Sequence, residues 1–302
     1  MNKLVVITGP TASGKSDLAI ALAKEFNGEI ISADSRQVYR KMDIGTGKVP
    51  GFWDEQKKIY MSGNIPHYLI DIADPNEDFN VSHFKKIAQE KILEISTKGK
   101  IPIICGGTGF WIDALIYDTN LPEVSPDQEL RKKLEKESCE EIFKKLKVLD
   151  PERAANIDSQ NKFRLIRAIE IINKLGKVPL ENKKKSPYDL VKISLDVSRE
   201  ILNKKIKKRL EIRFDEGMIA EVENLHKDGI SWEKLESFGL EYRNIAQYLQ
   251  KKMQFEEMKE KLYFDIIHFA KRQMTWLRRD QNILWLKDIE EISKEIKIFL
   301  NK

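Results

Sequence analysis

Hydrophobic positions along the chain alternate between two periods, and their order predicts an architecture before any chemistry is considered. Lys3 to Thr8 (KLVVIT) is a short apolar run rich in β-branched residues that stops at Gly9-Pro10. Such a run reads as a buried parallel strand feeding a turn. From Ser16 onward Leu18, Leu22 and Phe26 recur at helical spacing, and Asn27-Gly28 closes that helix. A second strand is predicted over 29–33, ending at Asp34, and a third over 68–72, ending near Asp74-Pro75. Helical spacing returns over 84–96 through Ile87, Ile92 and Ile95. Gly99 stops it, and 101–105 is a further apolar strand that ends at Gly106-Gly107.

Strands alternating with helices predict an α/β fold, a parallel sheet core with helices on both faces. Ligands of such sheets bind beyond the carboxyl ends of the strands. The Gly9 loop, Asp34 and the Gly106 loop are therefore expected to converge on one site. From Leu121-Pro122 to about Leu190 the character changes: glutamate and lysine dominate, helical periods replace strand runs, and Pro151, Pro179 and Pro187 punctuate. The expected division is a core of residues 1–118 and 191–302 with a mainly helical insertion over 119–190. Residues 191–195 read as a returning strand, followed by a helix with Leu202, Ile206, Leu210 and Phe214 at four-residue steps. The remainder is expected to be mostly helical.

Composition narrows the class without choosing a function. Apolar residues at 41% and charged residues at 33% suit an ordinary globular protein rather than a disordered or membrane chain. No apolar stretch is long enough to span a bilayer, and the chain runs straight into a strand rather than a signal peptide, so a cytoplasmic location is expected. Cys105 and Cys139 are too few for a disulfide framework or a four-ligand zinc site. A net charge of +5 does not demand a nucleic-acid partner. Its distribution is more suggestive: Lys183-Lys184-Lys185, a run from Lys204 to Arg213, and Lys271, Arg272, Arg278 and Arg279. Local basic patches attract phosphate backbones, although a solvated lysine-rich face has the same composition.

The chemistry begins at Gly9-Pro10-Thr11-Ala12-Ser13-Gly14-Lys15-Ser16, which fits G-x-x-x-x-G-K-[ST] at every fixed position. The loop must curl until successive backbone N–H groups face one anion, and glycine tolerates the dihedrals this requires. The following helix adds its positive N-terminal end. Lys15 can reach terminal phosphate oxygens, and Ser16 is the candidate ligand for Mg²⁺. Alone, the loop implies a diphosphate or triphosphate with Mg²⁺ and leaves kinase, GTPase and transferase open.

Four further blocks follow in order: Asp34-Ser35-Arg36-Gln37-Val38-Tyr39, Ile65-Pro66-His67-Tyr68-Leu69-Ile70-Asp71, Gly106-Gly107-Thr108-Gly109, and Arg164-Leu165-Ile166-Arg167-Ala168-Ile169-Glu170. Ala270-Lys271-Arg272-Gln273-Met274-Thr275-Trp276 closes the set. In this order they resemble the tRNA dimethylallyltransferases, also called tRNA isopentenyl transferases, of the shorter bacterial type without a C-terminal Cys/His finger. The resemblance implies a P-loop NTPase-like core with a tRNA-facing helical insertion; a monomer is expected. The implied reaction is Mg²⁺-assisted transfer of a dimethylallyl group from dimethylallyl diphosphate to an adenine amine beside the anticodon.

The resemblance also implies roles residue by residue. Asp34 matches the general base, and Thr108 a threonine near the reacting amine. Arg209 matches a residue that reaches the diphosphate alongside Lys15. Ser35, Arg36 and Gln37 match contacts to the target nucleotide, and Arg164 and Arg167 match tRNA-contacting positions; Gln160, Lys271 and Arg272 are expected to join the tRNA-binding set. On the last long helix His268, Lys271, Arg272, Thr275, Arg278 and Arg279 share one face by spacing. Two stretches depart from the common pattern: Ser159-Gln160-Asn161 before the Arg164 helix, and Gly239-Leu240-Glu241-Tyr242 farther on. An isopentenyltransferase acting on free adenine nucleotides and a small-molecule P-loop kinase are the competing enzyme readings.

Overall fold

A computed structural model describes residues 2–179 and 185–302, so Lys183 and Lys184 of the lysine triplet lie outside the described residues. Among those described, eight strands form one sheet: β1 (Lys3–Thr8), β2 (Gly28–Ser32), β3 (Phe52–Asp54), β4 (Ile59–Ser62), β5 (Ile65–Tyr68), β6 (Ile101–Gly106), β7 (Asp189–Leu195) and β8 (Ile283–Leu286). The order across it is β3-β4-β5-β2-β6-β1-β7-β8. Strands β3, β4 and β5 pair antiparallel at one edge, and every other pairing is parallel.

The continuous apolar character of β1 follows from burial on both sides. Leu4 and Val6 join a core that holds Phe84, Ile92 and Ile95 of the Val81–Thr97 helix and Trp111 and Leu115 of the Gly109–Ile116 helix. Val5 and Ile7 face the opposite way, against Leu18 and Leu22 of the Lys15–Glu25 helix and Ile292 and Ile296 of the Ile289–Leu300 helix. Helices therefore cover both faces, as the sequence predicts. After β7 the chain is mainly helical: Arg199–Asp215, Met218–Lys227, Trp232–Ser237, Leu240–Leu249 and Phe255–Leu277.

The third strand lies elsewhere than expected. Of residues 68–72 only Tyr68 is in a strand, the end of β5 (Ile65–Tyr68), and the run Leu69-Ile70 is buried as a turn. Leu69 (φ 64°) and Asp71 (φ 56°) adopt the left-handed region, which a strand cannot accommodate. The short strands β3, β4 and β8 were not foreseen, because three or four residues leave no readable period. The basic run of 204–213 is also divided by the fold: Lys204 pairs with Glu200 on the surface at 2.7 Å, whereas Arg213 is buried.

Two compact units emerge, Met1–Asp118 with Lys185–Lys302, and Thr119–Lys184. The second is built from the helices Gln128–Leu134, Cys139–Leu149, Pro151–Ala155 and Lys162–Leu175 around Leu134, Ile142, Leu146, Leu165 and Ile169. Ser138 and Glu141 form a capping box on the second of these helices. At its centre Glu170 is fully buried and accepts four hydrogen bonds. They come from Arg131 Nε (2.7 Å) and Nη2 (3.0 Å), the Asp127 N–H (2.9 Å) and Arg167 Nη1 (3.2 Å). Burial alone would raise the Glu170 pKa, but these donors outweigh it and hold the carboxyl below the ordinary range.

A depressed folded pKa contributes stability above the unfolded value and loses it as pH falls through the folded one. Glu170→Gln keeps the shape but removes the buried negative charge that Arg131 and Arg167 both meet, and both are partly exposed. It is expected to cost the unit roughly 2–3 kcal/mol at neutral pH, less in acid. Hydrogen exchange of the Lys162–Leu175 helix, compared with the β1 amides, measures this locally; equal protection in wild type and variant at pH 7 would contradict it.

Candidate active site

The loop after β1 delivers its backbone to the end of the sheet. Ala12 (φ 63°) and Gly14 (φ 99°) take left-handed conformations, and Gly14 caps the Lys15–Glu25 helix without a side-chain bond. The first amides of that helix are thus left facing the loop's concavity, where an anion can take them. Two distant residues hold the loop at Thr11. Arg209 Nη2 donates to Thr11 Oγ1 at 2.6 Å, and the Thr11 N–H donates to Gln273 Oε1 at 2.8 Å. The Gly9 backbone passes tightly against the Ser13 hydroxyl, which is buried beneath the loop.

The ends of β2 and β6 supply the opposite wall. Asp34 accepts the Arg36 N–H at 2.9 Å with Oδ1, closing a tight turn just past β2. Thr108 Oγ1 accepts the Ser35 N–H at 3.3 Å, and the Thr108 N–H donates to Ala33 O at 3.3 Å, so the two strand ends are cross-tied. Gln37 is engaged by its surroundings: it donates to Gly47 O at 3.1 Å and accepts from Ser32 Oγ at 3.3 Å. Arg36 donates to Ser237 O at 3.3 Å and lies over the Phe238 ring.

Thr11, Lys15, Ser16, Asp34, Gln37 and Arg209 line one cavity, together with Gly106, Cys105 and His67. It encloses about 580 Å³ of empty space, open mouth included. Burial pushes the Lys15 ammonium below its ordinary value, with Arg209 and Arg213 acting in the same direction and Cys105 and Asp34 opposing. Burial, then Arg213, brings Arg209 down to about 10. At about 10 the Arg209 guanidinium stays cationic at neutral pH. Burial raises the Cys105 thiol to about 11, so it stays protonated and is no nucleophile there. Two desolvated cations beside loop amides make a site for a polyanion, and Asp34 is a carboxylate within electrostatic reach of both.

A family model described as IPP transferase matches residues 37–280, and one described as isopentenyl transferase matches residues 2–65. The chain belongs to the IPP transferase family. It is 42% identical to a tRNA dimethylallyltransferase of Acetivibrio thermocellus over 99% of this chain and 98% of that one. With a second, from Syntrophus aciditrophicus, identity is 41% over 98% of each. Among solved structures it is similar to the full-length tRNA isopentenylpyrophosphate transferase of Bacillus halodurans, with a TM-score of 0.73, 37% identity, and coverage of 100% and 97%. A eukaryotic dimethylallyltransferase acting on tRNA gives a TM-score of 0.77 at 26% identity, covering 96% of this chain and 75% of that one.

Not every residue expected of an IPP transferase lies in the cavity. Gln160 and Arg164 are exposed on the Thr119–Lys184 unit, free to meet a ligand there. Arg167, in contrast, is committed within it, to Glu170 and to Val124 O at 2.8 Å. On the Phe255–Leu277 helix and its end, His268, Lys271, Arg272, Thr275, Arg278 and Arg279 are all exposed.

Three site-building residues escaped sequence reasoning. Gln273 carries no signal beyond its place in the closing block. Arg213, read as one more cation of a basic run, is buried against Glu241 at 3.2 Å. Glu221 accepts the N–H groups of Asp43 (2.8 Å), Ile44 (2.6 Å) and Gly45 (3.0 Å) and the Tyr242 hydroxyl (2.6 Å), fixing the loop that supplies Thr46 and Gly47 to the cavity. The departing stretch Gly239-Leu240-Glu241-Tyr242 thus supports the cavity floor through both Glu241 and Tyr242.

Gly109 explains its own identity: a methyl group there would strike the Trp276 ring. Gly109→Ala is expected to lose about 1–3 kcal/mol through overpacking. Calorimetric unfolding of the two proteins checks it, and an unchanged transition would refute this packing.

Proposed function

We propose that this chain transfers a dimethylallyl group from dimethylallyl diphosphate to the exocyclic amine of an adenosine next to the anticodon of tRNA, releasing diphosphate. The observation that carries the reading is one cavity in which loop amides, Lys15 and Arg209 face the Asp34 carboxylate, in a chain similar over its full length to tRNA dimethylallyltransferases.

An adenine amine is a weak nucleophile because its lone pair is delocalised into the ring. In the proposed step the amine nitrogen bonds to the allylic carbon while the carbon–oxygen bond breaks, and its electrons leave on the diphosphate. Asp34 takes the proton released from nitrogen; general-base help of this kind typically contributes about 10²–10⁴-fold. The loop N–H groups, Lys15 and Arg209 stabilise charge where it develops on the leaving oxygen. Thr108, tied to Ser35, places a hydroxyl at the strand ends beside Asp34.

Ser16 and Asp34 line the same cavity, and among the described residues no cluster of three or more His, Cys, Asp or Glu could hold a metal alone. That donor set fits Mg²⁺ held chiefly through diphosphate oxygens and water, with Ser16 as its protein ligand. When bound, the ion would neutralise part of the diphosphate charge.

An anticodon loop presents unstacked bases, so withdrawing one adenine costs less than opening a duplex. The exposed cations Lys271, Arg272, Arg278 and Arg279 suit phosphate tracking, with Gln160 and Arg164 as further contacts on the second unit. No helix among the described residues is long and apolar enough to cross a membrane.

Labelled dimethylallyl diphosphate offered with an anticodon stem-loop, or with AMP, is expected to label only the RNA. Label in AMP alone, or ATP-dependent phosphorylation of a small alcohol, would replace the reading. Asp34→Asn is expected to slow transfer by about 10²–10⁴-fold while stem-loop affinity is retained; wild-type turnover would remove the base assignment. Lys271→Ala should weaken stem-loop binding and flatten the slope of log affinity against log salt by about 0.7, and an unaltered slope would take this residue out of the RNA interface.

A further inference from the structure

Gln273 sits on the Phe255–Leu277 helix and is 9% exposed. Its amide is engaged in both directions. Oε1 accepts the Thr11 N–H at 2.8 Å, across 262 positions of sequence, and Nε2 donates to Gly107 O at 2.9 Å. A single side chain therefore spans the phosphate loop after β1 and the glycine turn after β6. Gly107 makes the span possible, because a Cβ there would lie 2.5 Å from Gln273 Nε2. One helical turn farther, Trp276 packs on Gly109, so the helix meets the turn at two points.

Each end of the bridge leads to a group placed in the reaction. On the loop side, Thr11 carries the hydroxyl that receives Arg209 Nη2. On the turn side, Gly107 precedes Thr108, whose hydroxyl receives the N–H of Ser35 beside Asp34. The separation between the diphosphate cradle and the base is consequently set through this amide. With the Thr11 N–H spent on Gln273 and the Ser13 N–H on Pro10 O at 3.3 Å, the loop's free amides lie elsewhere in the loop and at the helix start.

We propose that Gln273 is a positioning residue for prenyl transfer, holding the phosphate loop and the Asp34–Thr108 wall at the spacing the reaction needs. The inference rests on the transferase reading of the same cavity. Only an uncharged amide of this length offers an acceptor to Thr11 and a donor to Gly107 together. Gln273→Met keeps length and loses both bonds. Gln273→Glu keeps the shape and the acceptor but loses the donor.

Two measurements on the full chain separate positioning from folding. Calorimetric titration with inorganic diphosphate gives both the fraction of competent molecules and the affinity of each. Steady-state transfer to an anticodon stem-loop gives kcat and the stem-loop KM. In both variants diphosphate binding is expected at wild-type stoichiometry with affinity weakened about 10-fold. The kcat is expected to fall by about 10–100-fold, the scale of an ångström-sized misplacement, with stem-loop KM unchanged. Wild-type kcat and diphosphate affinity in either variant would overturn the proposal. So would a kcat that falls only in proportion to lost stoichiometry, which marks a purely structural residue. Failure of the wild-type chain to transfer the allyl group would instead sink the transferase reading itself.

Discussion

Two partly buried, desolvated cations that need an anion govern this structure. Lys15 and Arg209 stand in the same cavity, with burial lowering the pKa of each, and Arg209, at about 10, keeps its charge at neutral pH. Unligated, they repel one another and are only partly offset by Asp34. A diphosphate removes that penalty, and the free amides of the loop and helix start add dipoles that need no reorganisation when charge develops. The surrounding construction keeps this arrangement from relaxing. Arg209 is fixed on the Thr11 hydroxyl, the loop is held by Gln273, and the floor is held by Glu221 and Arg213.

The same constraint explains why the site draws on segments so far apart in sequence. A parallel sheet places the ends of β1, β2 and β6 side by side, which accounts for Thr11, Lys15, Asp34 and Gly106. It offers nothing on the solvent side of the loop. The helices Arg199–Asp215 and Phe255–Leu277 supply that side, one with Arg209 and the other with Gln273. The glycines at 107 and 109 are the complementary half of this docking, since side chains there would push the second helix away. The exposed cations of that helix lie next to the buried residue that holds the loop, so any ligand gripping Lys271 and Arg272 is gripping the scaffold of the cavity.

Legibility in the sequence followed the range of the interactions. The phosphate loop was readable because its function needs fixed residue types at fixed spacing, and Asp34 because it ends an apolar run, whereas Thr108 was picked out only by the family resemblance. Strand β1 and its helix were readable because burial on two faces leaves an unbroken apolar signature. The run at 68–72 misled for the same reason: Leu69 and Ile70 are buried, but in a turn whose left-handed residues have no compositional mark. Gln273, Glu221 and Arg213 were silent because their meaning lies in partners scores of residues away. A polar side chain on an amphipathic helix looks solvated until the fold buries it. Arg167 shows the converse, a residue picked for RNA contact that the fold commits to Glu170.

The most direct test is a structure of the protein with Mg²⁺ and a non-reactive thio analogue of dimethylallyl diphosphate. The account predicts the diphosphate on the amides at the start of the Lys15–Glu25 helix, between Lys15 and Arg209, with the allylic carbon turned toward Asp34. A nucleoside triphosphate preferred in that loop, or the analogue bound away from Asp34, would contradict it.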